Sequence, residues 1–115
     1  MKVFVSYARK DNDVEALREI ERQLKTLLPG CTPYIDDLHH DAHGDRYYGL
    51  KRAFVESRVF VAVRSPSYAR TRWTRRELVW AGVSDHKRYR LLREPDHDLP
   101  VYKLISEQDN AALTA

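Results

Sequence analysis

Two short runs of apolar residues constrain the fold of this chain most. Residues 3–5 (Val-Phe-Val) and 59–63 (Val-Phe-Val-Ala-Val) contain no polar side chain. A strand with one face in water alternates apolar and polar residues, whereas a continuous apolar run is typical of a strand buried on both faces. Both runs therefore predict strands of a parallel sheet.

Segments with helical periodicity alternate with these strands. Between residues 14 and 28, Val, Leu and Ile recur at helical spacing, and Asn12 with Glu15 predicts a capping box. We predict strands at 2–7, 32–35 and 59–63, helices at 13–28, 47–57 and 72–83, further strands at 89–92 and 101–105, and a short helix or frayed end at 106–115. The βαβαβα order predicts an α/β fold with a parallel sheet and helices on both faces.

Length and composition narrow the possible classes of protein. The 115 residues, 43% of them hydrophobic, suit one small domain over residues 1–115 that self-association would stabilise. The net charge is only +3, and aromatic residues are not interleaved with the basic ones, so we expect no nucleic-acid binding. We also expect no membrane span, since no apolar run is long enough. Cys31 is the only cysteine, which favours a reducing, cytoplasmic location.

Trp73 and Glu77 form the most informative candidate site. They lie four residues apart on the predicted helix at 72–83 and therefore share a helix face. This helix follows a strand, and open parallel sheets bind ligands at the carboxyl ends of their strands. A flat aromatic ring beside a carboxylate suits a ligand with a ring and a developing positive charge, such as nicotinamide attached to ribose. Further candidates lie at or just after the ends of the strands, namely Ser6, Tyr7, Arg9, Asp36, Ser65 and Tyr68.

Four motifs follow one another along the chain. They are Val-Phe-Val-Ser-Tyr at 3–7 with Asp11, Tyr-Ile-Asp-Asp at 34–37, Ser-Arg-Val-Phe-Val-Ala-Val at 57–63 with Ser65 and Tyr68, and Trp73-x-x-x-Glu77. Together they cover about three quarters of the sequence, and they resemble the motifs of the Toll/interleukin-1 receptor (TIR) domain family. Each motif is weak alone, and the ordered set carries the resemblance.

The resemblance implies a flavodoxin-like sheet of about five parallel strands and one of two functions. Some TIR domains cleave NAD and release nicotinamide with ADP-ribose or a cyclic or modified form, whereas others act as scaffolds that bind further TIR domains. Stand-alone bacterial members often serve in anti-phage defence. For an enzyme, the resemblance implies that Glu77 is the catalytic carboxylate, that the other candidates contact the substrate, and that NAD is bound as substrate without a separate cofactor. It also implies that self-association completes the site.

The chain departs from the family pattern at three places. Thr74 stands where the family usually has a small residue or cysteine, and residues 38–44 replace the usual proline-glycine loop. The region after Val83 is short. Because the family uses the loop for substrate gating and partner choice, these departures leave both properties open.

Other interpretations of single residues stay open at this point. Glu77 could be an exposed helix residue paired with an arginine, Trp73 could be core packing, and Asp36 could cap the turn that follows it. A nucleoside deoxyribosyltransferase, which has a related fold and a catalytic glutamate, is a third functional hypothesis. Base exchange between deoxynucleosides would distinguish that enzyme from one that cleaves NAD.

The loop predicted at residues 38–45 carries His39, His40 and His43 among aspartates. The spacing of His39 and His43 chelates a metal ion only on a helix, whereas Gly44 and the aspartates favour a loop. We therefore expect no metal site. A mobile, pH-sensitive lid suits these histidines better.

Overall fold

The computed structural model describes residues 1–40, 44–95 and 97–107. Its strands are β1 (Lys2–Ser6), β2 (Thr32–Tyr34), β3 (Val59–Arg64), β4 (Lys87–Arg93) and β5 (Tyr102–Ser106). Its helices are α1 (Val14–Leu27), α2 (Asp36–His39), α3 (Arg46–Glu56) and α4 (Arg72–Val83). Two 3₁₀ turns, Arg9–Asp11 and Tyr68–Arg70, follow β1 and β3.

The strands form one sheet in the order β2-β1-β3-β4-β5. The pairs β1–β2, β1–β3 and β3–β4 are parallel, which confirms the predicted flavodoxin-like α/β class. β5 pairs with β4 in the antiparallel sense, so the expectation of a wholly parallel sheet is wrong for the last strand. A parallel crossover needs about a dozen residues or more, and the connection at 94–101 is too short for one.

The inner strands β1 and β3 are buried on both faces, as their apolar runs predicted. One cluster joins alternate residues of the inner strands to α1 through Leu17, Ile20 and Leu24. The opposite cluster joins Phe4, Phe60 and Ala62 to α3 and α4. Since side chains alternate along a strand, Ser6 lies on the same face as Phe4, toward α3 and α4. This alternation brings the end of β1 against the helix that carries Glu77.

The start of α1 differs from its prediction. Asp13, and not Asn12, is the N-cap, and its carboxylate accepts a hydrogen bond from the backbone N–H of Ala16 at 2.8 Å. The Asn12 side chain is buried and donates instead to the carbonyl of Ala8 at 2.9 Å. The predicted capping box of Asn12 and Glu15 is therefore wrong. A cap requires its side chain to face the first helical turn, and the 3₁₀ turn before α1 directs Asn12 inward.

Two other segments refine the predicted boundaries. The polar loop expected at 38–45 is wrong at its beginning, because α2 forms one helical turn over Asp36–His39. Gly30 has a positive φ of 80°, a conformation that glycine adopts without strain, and it leads the chain from α1 into β2. Of the predicted terminal helix or frayed end, residues 108–115 lie outside the described residues.

Candidate functional site

A cavity of about 450 Å³ opens at the carboxyl ends of β1 and β2. Its wall is built from the end of β1 and the junction after it, the start of α2 and the first two turns of α3 and α4. The lining residues include two carboxylates, three basic side chains and three aromatic rings. They are Asp36 and Glu77, then Arg9, Lys10 and Arg46, then Tyr7, Tyr47 and Trp73.

Glu77 supplies the buried carboxylate of this cavity. It lies in the second turn of α4 and is only 6% exposed. Its Oε1 accepts a hydrogen bond from the Ser6 hydroxyl at 2.7 Å. Burial raises the pKa of Glu77 to about 7, the Ser6 hydrogen bond opposes this change, and the charge of Asp36 adds to it. Near neutral pH the side chain can therefore exist both as the acid and as the carboxylate.

The hydroxyls of Ser6 and Tyr68 lie behind Glu77 and do not line the cavity. The Tyr68 hydroxyl donates to Ser6 Oγ at 2.8 Å, and both side chains are buried. Burial is the main cause that raises the pKa of Tyr68 above its usual range, so this phenol stays a hydrogen-bond donor. The structure thus brings both residues to the site but separates them from its open space.

Trp73 forms the outer wall of the cavity. It is 48% exposed, so the alternative of a core tryptophan does not hold. Its ring centroid lies 5.8 Å from that of Tyr47, and the Arg76 guanidinium lies 5.2 Å from the Trp73 centroid. Trp80 lies further into the protein, and its ring centroid is 5.5 Å from that of Phe54. A planar ligand could stack against the exposed pair Trp73 and Tyr47.

A network of ion pairs closes the opposite side. Asp37 accepts hydrogen bonds from Tyr7 at 2.6 Å, from Arg9 Nε at 3.0 Å and from Arg46 at 2.6 Å. Although burial raises the pKa of Asp37, these hydrogen bonds hold it below its usual range. Asp36 accepts from Arg46 Nε at 2.7 Å. Asp36 therefore anchors a cavity arginine, and its carboxylate does not act as the turn cap considered above.

The structure places Ser65 away from the cavity. Its hydroxyl donates to Asp11 at 2.6 Å, and the same carboxylate accepts from the backbone N–H of Ser67 at 2.7 Å. These bonds tie the loop after β3 to the turn after β1. Ser65 therefore does not line the cavity.

The sequence reasoning missed the apolar lining residues Val5 and Leu50 and four lining residues with polar groups, namely Lys10, Arg46, Tyr47 and Thr71. Lys10 follows Arg9 directly, so its position at the β1 junction was a usable signal. Arg46 and Tyr47 begin α3, and their place depends on how the segment before α3 runs. The sequence carries no comparable signal for that path.

His39 contacts α1 and does not line the cavity. His39 Nδ1 accepts from the backbone N–H of Ile35 at 2.9 Å, and its Nε2 lies 2.7 Å from Glu21 of α1. Within 1–40, 44–95 and 97–107, no group of three potential ligands could hold a metal ion. His43 and Asp41 of the expected lid lie outside the described residues.

The described helices include none long and apolar enough to cross a membrane. Searches of curated proteins and of solved structures found no match to this chain. A family model for the TIR domain matches residues 3–106, a range that contains the whole cavity wall and nearly the whole sheet. The chain therefore belongs to the TIR domain family.

Proposed function

We propose that this chain cleaves the bond between nicotinamide and ribose in NAD, with Glu77 as the catalytic carboxylate. One observation carries the proposal most: Glu77 is buried at the wall of an open cavity, and its partner is a hydroxyl instead of an arginine. A glutamate kept for structure alone is rarely buried without a cation. The perturbed pKa of Glu77 also fits a functional carboxylate.

Cleavage of this bond needs little acid catalysis, because nicotinamide leaves as a neutral pyridine. The barrier lies in the positive, oxocarbenium-like charge that grows on the ribose. An ionised carboxylate in a water-poor wall stabilises that charge more strongly than one in bulk water. Glu77 would act in this way and would orient the ribose hydroxyls. Water or another nucleophile then attacks the ribose carbon. The identity of that nucleophile determines whether the product is linear, cyclic or conjugated.

The remaining wall residues suit the other parts of NAD. Trp73 and Tyr47 offer ring faces for nicotinamide. Arg9, Lys10 and Arg46 offer positive charge for the two phosphates. Arg9 and Arg46 already pair with Asp37, whereas Lys10 makes no ion pair among the described residues. We therefore assign Lys10 the first contact with a phosphate.

A scaffold that binds other TIR-bearing chains is the second candidate. It is favoured by large apolar side chains that lie exposed on α3 and α4, namely Tyr48, Val55, Val79 and Val83. Such side chains suit contact with another protein surface. The two functions are compatible, because self-association of an enzyme would use the same kind of surface.

The test is incubation of concentrated protein with NAD and separation of the products by chromatography. We expect nicotinamide release by the parent and by Glu15→Gln, a control at an exposed carboxylate of α1. We expect none from Glu77→Ala. Equal release from Glu77→Ala would overturn the catalytic assignment. No nicotinamide release from any of the three proteins, together with concentration-dependent assembly, would favour the scaffold. Base exchange between deoxynucleosides would favour the transferase.

A further inference from the structure

We propose that Ser6 and Tyr68 are positioning residues whose buried hydroxyls hold one oxygen of Glu77 and present the other to the cavity. This inference deepens the proposed function and depends on it for its catalytic meaning. It also changes the assignment of both side chains, which the sequence placed among the substrate contacts.

The hydrogen bonds form a chain with one direction. Tyr68 donates to Ser6 Oγ at 2.8 Å, and Ser6 donates to Glu77 Oε1 at 2.7 Å. A serine hydroxyl has one proton, so a serine that accepts from tyrosine donates that proton onward to an acceptor. The described residues give Oε2 of Glu77 no hydrogen-bond partner, and Glu77 lines the cavity. One oxygen is therefore fixed by the protein, and the other is left for a ligand.

Burial separates these hydroxyls from any substrate. Ser6 has no exposed surface, and Tyr68 is 1% exposed. Neither lines the cavity, whereas Glu77 does. A substrate would therefore meet Glu77, and the effect of Ser6 and Tyr68 would reach it only through that carboxylate.

Thr74 fixes the turn that carries Tyr68 against α4. Its buried hydroxyl donates to the backbone carbonyl of Tyr68, and its backbone N–H donates to the Thr71 hydroxyl at the N-cap of α4. This residue is the one that departs from the family pattern after the motif tryptophan. The departure has a structural use here, because it ties the donor turn and the carboxylate helix together.

Other charged groups around Glu77 also influence its ionisation. Asp36 faces it from α2, and its negative charge favours the protonated acid. Arg64 lies beyond the far end of the chain, 4.9 Å from the Tyr68 ring centroid. Across the cavity lie the cations Arg9, Lys10 and Arg46. Ser6 is thus the hydrogen-bond donor that favours the carboxylate from the protein side.

The test combines a direct titration with a pH–rate profile. Glutamate labelled with ¹³C at the carboxyl carbon reports the ionisation of Glu77 by NMR in the parent, Ser6→Ala, Tyr68→Phe and Tyr102→Phe. Tyr102→Phe is the matched control, since the hydroxyl of Tyr102 makes no hydrogen bond among the described residues. The NMR arm needs no NAD cleavage, so it tests the chain of hydroxyls even if the proposed function fails.

We expect Glu77 to titrate at a higher pH in Ser6→Ala, by a smaller amount in Tyr68→Phe, and unchanged in Tyr102→Phe. In the rate profile, Ser6→Ala should lose about tenfold at about pH 5.5 and much less at about pH 9. An unchanged titration in both Ser6→Ala and Tyr68→Phe would overturn the proposal. A rate loss that is equal at every pH would do the same, because simple loss of folded protein gives that pattern. If Ser6→Ala does not fold, Tyr68→Phe, which keeps its packed ring, decides alone.

Discussion

Glu77 combines near-complete burial with a place at an open cavity. Removing a carboxylate from water without a cationic partner costs free energy, because its charged form loses solvation. The Ser6 hydroxyl recovers only part of this loss. At the scale of one residue, the burial of Glu77 therefore lowers the stability of the fold and places a carboxylate where a ligand can reach it.

The proposed catalytic role of Glu77 predicts a pH dependence of NAD cleavage. In that role the ionised form of Glu77 is the active one, and its pKa is about 7, so activity should rise as the pH increases through 7. Initial rates should grow about tenfold per pH unit well below pH 7 and level off above about pH 8. Rates of nicotinamide release in overlapping buffers measure this profile. A profile that is flat between about pH 5 and 8, or that falls, would contradict the role of the carboxylate.

The same pKa predicts that Glu77→Gln stabilises the fold at high pH. The pKa of Glu77 is about 7 in the folded protein, against an ordinary value of 4.5. The contribution of this group to stability is therefore fully present below pH 4.5 and is lost as the pH rises through 7. Removing the charge should raise the free energy of unfolding by about 3 kcal/mol at about pH 8 and by little at about pH 4. Urea unfolding at both pH values measures this difference. Glu15→Gln is the control, and an equal gain at both pH values would contradict the burial cost.

At the scale of elements, Gln23 joins α1 to β5. Its Nε2 donates to the carbonyl of Pro100 at 2.7 Å, and its Oε1 accepts from the backbone N–H of Tyr102 at 2.9 Å. Gln23→Ala should lower the free energy of unfolding by about 2 kcal/mol, because two backbone groups lose their partner. Denaturant unfolding measures the loss, with Arg18→Ala at an exposed site of α1 as control. Equal stability of the two variants would show that β5 is held without this side chain.

Prediction from sequence worked best where periodicity and burial agree. The apolar runs located β1 and β3, and the predicted helix at 72–83 matches α4 at both ends. Trp73 and Glu77 were found because their spacing on a helix fixes their relative place. These features depend on local geometry, which the sequence states directly.

Features that depend on the path of the chain in space were harder to predict. The antiparallel sense of β5 follows from the length of the connection before it, and the inward turn of Asn12 follows from the 3₁₀ turn after β1. Ser65 has the right position along the chain, but Asp11 competes for its hydroxyl. Arg46 and Tyr47 reach the cavity only because of the route between β2 and α3.

At the scale of the whole molecule, exposed apolar side chains predict self-association. Val79 and Val83 lie one turn apart on α4 and are 64% and 85% exposed. We expect specific activity to rise with protein concentration, and Val79→Glu to weaken both assembly and activity at equal concentration. Val14→Glu, on the helix that covers the other face of the sheet, is the control. Sedimentation velocity with parallel assays measures both properties. A monomer with constant specific activity over the whole concentration range would contradict the expectation.

The catalytic role of Glu77 is tested most directly by comparing NAD binding and NAD cleavage by the parent and Glu77→Gln at about pH 8. Glutamine keeps the size of the side chain and can still accept from Ser6, but it cannot carry the negative charge. We predict that both proteins bind NAD with affinities within about threefold, and that the variant releases nicotinamide at least about a hundredfold more slowly. Cleavage by Glu77→Gln at the rate of the parent would show that this buried carboxylate does not drive the reaction.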